Sequence, residues 1–413
     1  MIKKLNIYLI SAVLALLCFT SCDNNEVYRE LDDDSLSIRL LVNKYHRSNS
    51  FYVGAQPGDN YLTYVQYEGL RKIFYQEFAV ATLNREFYQQ NVYPLPNKEW
   101  FNGSYKHTFD LARKNDQLLS ITTALSPDCS EWIKDETDNL HTTNNINSIL
   151  EYYIENIGKE LENNKDVVKW MTVVSEPVSV GHTGLDYDGT GVDHAFSAGE
   201  WFGPVSGVGY ENPWTVLGFS DIELTSSSLS EKRIPTYIVE AFQLSNKYAP
   251  GVKQLIAQSD DILDDAVWNT IKQMLLKLRD NNIKVDGMVW KASLDLTKGI
   301  DEESLRRLSL LIDWCYQNSF EFHITGLEVK SSPVNRWNVE DLDGLTKKEA
   351  AISTVLNSVS RIAIQKSGKG IATLSFGVFD GRYDATSGTF ANLFSHDGDK
   401  RLMYYDLQKL LIP

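Results

Sequence analysis

Eight short apolar runs, with helical stretches between them, constrain this chain more than any other feature. The runs lie at 51–55, 77–82, 118–122, 170–174, 254–257, 285–289, 322–329 and 371–378. Those at 118–122 and 170–174 are short and carry β-branched residues, as strands buried on both faces do. Segments at 148–164, 237–247, 266–281, 302–318 and 350–366 are patterned as amphipathic helices. Strand then helix, repeated, is the pattern of βα units feeding a parallel sheet, which predicts the α/β class. Eight such units predict a closed (β/α)8 barrel, with functional groups at the carboxyl ends of the strands and in the loops that follow. A long insertion after the fourth strand, from 178 to 233, is rich in Gly, Ser, Asp and aromatic residues. Structureless stretches beyond about 15 residues are uncommon inside a compact domain and usually functional, so the insertion is expected over the barrel mouth.

The N-terminus calls for a separate reading. Lys3 and Lys4 precede an apolar run at 7–17 that is too short to span a bilayer, the form of a secretory signal. Phe19-Thr20-Ser21-Cys22 then places small residues before a cysteine, as in a lipoprotein signal, where the thiol is acylated after cleavage. The expected organisation is a signal peptide over 1–21, an acidic tether over 22–34 beginning at the lipidated Cys22, and the barrel over 35–413. Simple secretion is the alternative. Acyl chains hold a protein at a membrane without a spanning helix. Cys129 and Cys315 are the only cysteines after Cys22, so no disulfide framework is expected. A net charge of -15 argues against nucleic acid and anionic substrates. No cofactor is expected.

Glu176, in Val174-Ser175-Glu176-Pro177, closes the fourth strand and places a carboxyl on the rim. Cleaving a glycosidic bond takes two carboxyls, one to protonate the leaving oxygen and one to attack or to activate water. Glu328, near the end of the seventh strand, is a second candidate. By strand alternation it faces the same way as residue 326, about 6.6 Å further on. Trp201, Phe202, Tyr210 and Trp214 in the insertion either form a sugar-stacking platform or pin the loop to the barrel. Glu200 and Glu211 are further loop carboxyls. Asp186, Asp188 and Asp193 are spaced like a calcium loop, but Ser197 stands where the closing bidentate Glu belongs, so a polar Gly turn is expected and no metal.

These motifs resemble glycoside hydrolase family 10. Val174-Ser175-Glu176-Pro177 is similar to the family's Val-Asn-Glu-Pro, which implies that Glu176 stands at the general acid/base position and Ser175 at that of a sugar-binding Asn. Ile324-Thr325-Gly326-Leu327-Glu328-Val329 resembles Ile-Thr-Glu-Leu-Asp-Val, which places Gly326 at the nucleophile position and Glu328 at the Asp. The same resemblance puts Ile121 and Ser126 where the family has active-site His residues, and Lys291 and Ser293 where it has Gln and His. Asn84, Arg85 and Tyr88 fall in the sugar-holding segment after the second strand, and Phe376 falls at the Trp of the last strand. The acidic tether resembles those of surface lipoproteins of the Bacteroidetes, which implies an outer-membrane, cell-surface location.

The resulting expectation is a surface glycan-binding lipoprotein on a family 10-like scaffold. Glu176, Asn84, Arg85, Tyr88, Ser175, Lys291 and Phe376 would contact a polysaccharide or oligosaccharide, with Trp201, Phe202 and Trp214 beside them. Two alternatives stand: an active endo-β-glycanase with Glu328 or a loop acid as substitute carboxylate, or a structural partner in an outer-membrane glycan-import complex.

Overall fold

A computed structural model describes residues 32–57, 67–83, 87–93, 100, 105–126, 129–134, 143–179, 200–201, 212–225, 229, 231–259, 262–330, 342–379, 389–390, 393–395 and 397–413. Eight parallel strands form the centre: β1 (Tyr52–Gln56), β2 (Val80–Leu83), β3 (Leu118–Leu125), β4 (Val168–Ser175), β5 (Lys253–Gln258), β6 (Gly287–Asp295), β7 (Glu321–Lys330) and β8 (Ile371–Val378). Each pairs with the next, and β8 returns to pair with β1, so the sheet closes into the expected (β/α)8 barrel. The surrounding layer comprises α1 (Ile38–Tyr45), α2 (Glu68–Glu77), α3 (Lys106–Lys114), α4 (Thr143–Asn163), α5 (Thr236–Tyr248), α6 (Asp265–Asp280), α7 (Glu302–Gln317), α8 (Leu342–Gln365) and α9 (Leu402–Leu411). Among the described residues no helix is long and apolar enough to cross a membrane.

The boundaries of the second and sixth strands differ from the sequence reading in ways that bear on the site. The second strand starts at Val80 rather than at 77, because Glu77 is the last residue of α2. Its buried carboxylate accepts from the Ile38 backbone N–H at 2.9 Å and the Tyr404 hydroxyl at 3.0 Å, tying α1 and α9 to the barrel. The sixth strand begins at Gly287 and continues to Asp295, well beyond 289. That extension carries Lys291 and Ser293 up to the mouth.

Both faces of a closed parallel sheet are buried, so the core has two compartments. The outer one lies between strands and helices. The inner one joins Val80, Trp170, Leu255, Ala257 and Val289, with Tyr52 and Leu118 against them. At the amino-terminal floor, Trp170 Nε1 donates to Glu321 Oε2 at 2.9 Å, and Lys253 pairs with the other oxygen of that carboxylate. Trp170 also meets Tyr52 and His323 edge-on, at centroid distances of 5.7 and 5.5 Å. Tyr52, Trp170, Lys253, Glu321 and His323 come from four different strands and fill the amino-terminal floor of the lumen.

The described part of the insertion departs from the expected lid. Residues 212–217 and a two-stranded hairpin (Phe219–Glu223 with Arg233–Pro235) pack against α4 and α5, outside the barrel wall. Trp214 is fully buried and its Nε1 donates to the Ser126 carbonyl at 3.0 Å. Trp201 is also buried, paired through its backbone with Val178, and donates to the Glu231 carbonyl at 3.0 Å. The stacking-platform alternative therefore fails for these two indoles: they pin the insertion, and no ring face is offered to solvent. Phe202, Tyr210, Glu211 and the 186–193 turn lie outside the described residues.

Candidate active site

Glu176 follows β4 directly, and its backbone N–H still donates to the Ala257 carbonyl at 2.8 Å, so β5 fixes its height. Its φ is +56°, left-handed backbone in a non-glycine residue that also precedes a proline. Such a conformation costs on the order of 1–3 kcal/mol and persists only where surrounding structure imposes it, which is commonest at functional sites. The imposed turn aims the carboxyl across the mouth. There Lys291 Nζ donates to Glu176 Oε1, each side chain 37% exposed.

Residue 326 sits in an irregularity of β7. Thr325 is opposite Lys291 of β6, yet Ser293 is opposite Glu328, so two steps on β6 face three on β7. Gly326, at φ +62°, is part of that bulge. The simple alternation expected from sequence is therefore broken. Leu327 is paired with Phe376 and fully buried in the helix-side core, while Glu328 returns to the side of Lys291 and Ser293. Glu328 Oε1 accepts from the Ser293 hydroxyl at 2.9 Å. Partial burial pushes the Glu328 carboxyl above the usual carboxylate range, with Ser293 and Lys330 opposing that shift. A Cβ added to Gly326 would stand 3.3 Å from Gln56 Nε2, so the end of β1 also borders this point.

The other candidates separate clearly. Ser175 is buried at the top of β4, and its hydroxyl has no hydrogen-bond partner. Phe376 is 1% exposed within the outer core, so it packs helices and is closed to a ligand. Ile121 is buried in the same layer, and the Ser126 carbonyl is spent on Trp214. Tyr88 is half-buried and precedes a short helical turn after β2, whereas Asn84 and Arg85 lie outside the described residues. Sequence reasoning passed over two participants: Ser293, noted only as a replacement for His, and Gln56. Strand alternation on β6 contained the first signal, since 291 and 293 share a face. Among the described residues no group of His, Cys, Asp and Glu is arranged to hold a metal ion.

The architecture is that of the glycoside hydrolase family 10 endoxylanases, a (β/α)8 barrel whose strands end at a common mouth. Native xylanase 10B from Thermotoga maritima superposes with a TM-score of 0.66 at 17% identity, over 91% of this chain and 98% of that one. Xylanase 10B from Thermotoga petrophila in complex with xylobiose gives 0.66 at 17%, over 91% and 97%. The endo-1,4-beta-xylanase XylE of Penicillium canescens gives 0.67 at 13%, over 91% and 98%. No family model and no curated protein sequence matches the chain.

Proposed function

We propose that this protein captures a β-linked glycan of the xylan type at the mouth formed by β4, β6 and β7, as a lipid-anchored protein of the bacterial cell surface serving glycan uptake. The observation that carries the reading is the Glu176–Lys291 pair, held at the mouth by strained backbone, facing a β7 bulge where Gly326 offers no carboxyl. Two charged side chains that remain partly exposed at a barrel mouth suit sugar hydroxyls, which both donate and accept. A retaining double displacement needs a nucleophile about 5–5.5 Å from the acid/base. At residue 326 a glycine removes it. Xylobiose in a structural neighbour supports the choice of xylo-oligosaccharide as the first ligand to test.

The test is affinity electrophoresis in gels containing soluble xylan or other polysaccharides, on wild type and on Lys291→Ala. Retardation by xylan that the substitution weakens at least tenfold is the expected result. Wild-type mobility unchanged in every glycan would overturn the capture reading and favour a purely structural partner of an import complex. Anchoring is tested by Cys22→Ala, which is expected to move the protein from the membrane fraction to the soluble one.

A further inference from the structure

We infer that the amino-terminal end of the barrel is the face presented to the membrane, so that the mouth opens away from the lipid. This rests on the anchoring at Cys22 proposed above and names the surface that meets the bilayer.

Where the chain enters the barrel carries the argument. In a parallel barrel every strand runs the same way, so the residues just before each strand gather at one end and the functional mouth forms at the other. α1 is tied to the first of these ends on both sides. At its start the Ile38 N–H donates to Glu77, just before β2. Arg39 donates to the carbonyl of Tyr75 at 3.1 Å and to that of Asn115, just before β3, at 3.0 Å. Past the end of α1, the ring nitrogens of His46 lie 3.2 Å from the Ser367 hydroxyl, just before β8, and 3.1 Å from the Leu411 carbonyl. α1 therefore crosses beneath the strands, from β2 and β3 to β8.

The residues that lead into α1 are held at the same end. Asp33 accepts from Lys44 at 2.6 Å and from the Tyr45 hydroxyl at 2.8 Å, and the Leu36 carbonyl accepts from Gln408 at 2.7 Å. Asp32, ten residues after Cys22, thus joins the barrel at its amino-terminal end. Ten residues span at most about 33–36 Å when fully extended. α4, with 21 residues, rises about 31 Å along the barrel wall. With the mouth against the membrane, Asp32 would stand about a barrel height away from it. The tether would then be drawn out almost straight and would give up most of its conformational freedom. With the amino-terminal end against the membrane no such stretch is needed. The bilayer lies beneath α1, and a glycan reaches Glu176 and Lys291 from the outer side.

The test is resonance energy transfer in the full lipidated protein, reconstituted into phospholipid vesicles whose headgroups carry the acceptor. The donor sits on Lys369→Cys, just before β8, or on Lys298→Cys, in the loop after β6. Both positions are exposed, and Cys129 and Cys315 are buried, so labelling falls on the introduced thiol. Transfer at least threefold more efficient from position 369 than from position 298 is the expected result. Equal transfer from the two, or more from 298, overturns the inference. Vesicle-bound protein should also hold soluble xylan as firmly as unanchored Cys22→Ala protein does. Binding tenfold weaker on vesicles overturns the inference, because the bilayer would then obstruct the mouth. Protein that fails to enter the vesicles overturns the anchoring and the inference together and leaves capture standing. Absence of xylan binding in both forms overturns capture alone, and the transfer ratio still decides the orientation.

Discussion

Gly326→Ala isolates the backbone contribution of the β7 bulge. Residue 326 has φ +62°, a region that costs an L-residue roughly 1–2 kcal/mol relative to glycine. The added methyl would lie 3.3 Å from Gln56 Nε2, the far end of a flexible side chain that can yield by a few tenths of an ångström, so strain in φ dominates. The expected loss is therefore about 1–2 kcal/mol, which at a urea slope of about 3 kcal/mol/M lowers the midpoint by about 0.3–0.7 M. Gly326→Asn should lose less, since Asn enters the left-handed region more readily. Gly326→Glu restores a carboxyl at the family's nucleophile position but carries it on a bulge, out of the regular ladder of β7. It is expected to lose as much stability as the Ala variant and to gain no retaining hydrolysis. Urea unfolding followed by tryptophan fluorescence and anomer-resolved NMR on xylan check both parts. An unchanged midpoint for Gly326→Ala, or rapid release of the β anomer by Gly326→Glu, would refute the reasoning.

The floor of the lumen predicts an acid limb of stability. Burial alone would raise the Glu321 carboxyl, but His323 and Lys253 outweigh burial and hold it at about 2. A folded-state value below the unfolded one near 4.3 gives stability that is present above pH 4.3 and lost as pH falls toward 2. Its size is about 2–3 kcal/mol after allowing for partial exposure. Glu321→Gln should flatten that limb in urea midpoints measured from pH 3 to 7, and an undiminished slope counts against the assignment. Trp214→Ala should cost about 3–5 kcal/mol, because a fully buried indole and its bond to the Ser126 carbonyl are both lost. A loss below 1 kcal/mol would mean that the indole does not anchor the insertion.

Much of the barrel was legible because each βα unit writes its own period into the chain. The strands at 118–122, 170–174 and 371–378 fall within the observed β3, β4 and β8. The boundary at Glu77 was not, since an apolar neighbourhood reads alike for a strand start and a helix end. Which one forms was decided by Ile38 and Tyr404, 39 residues before and 327 residues after. The insertion shows the same limit from the other side: its aromatic content was visible, but whether Trp201 and Trp214 face sugar or core depended on α4, α5 and the Ser126 carbonyl.

At the mouth, the sequence by itself determined that Glu176 stands at the carboxyl end of a strand, which follows from local pattern, and that position 326 holds a glycine. Only the tertiary structure decided that Lys291 meets Glu176, that Phe376 turns away into the helix layer, and that Glu328 meets Ser293. The physical reason is register. A single extra residue in β7 shifts which side chains share a face, and the pairing that fixes it comes from β6 and β8, strands separated from it in the chain.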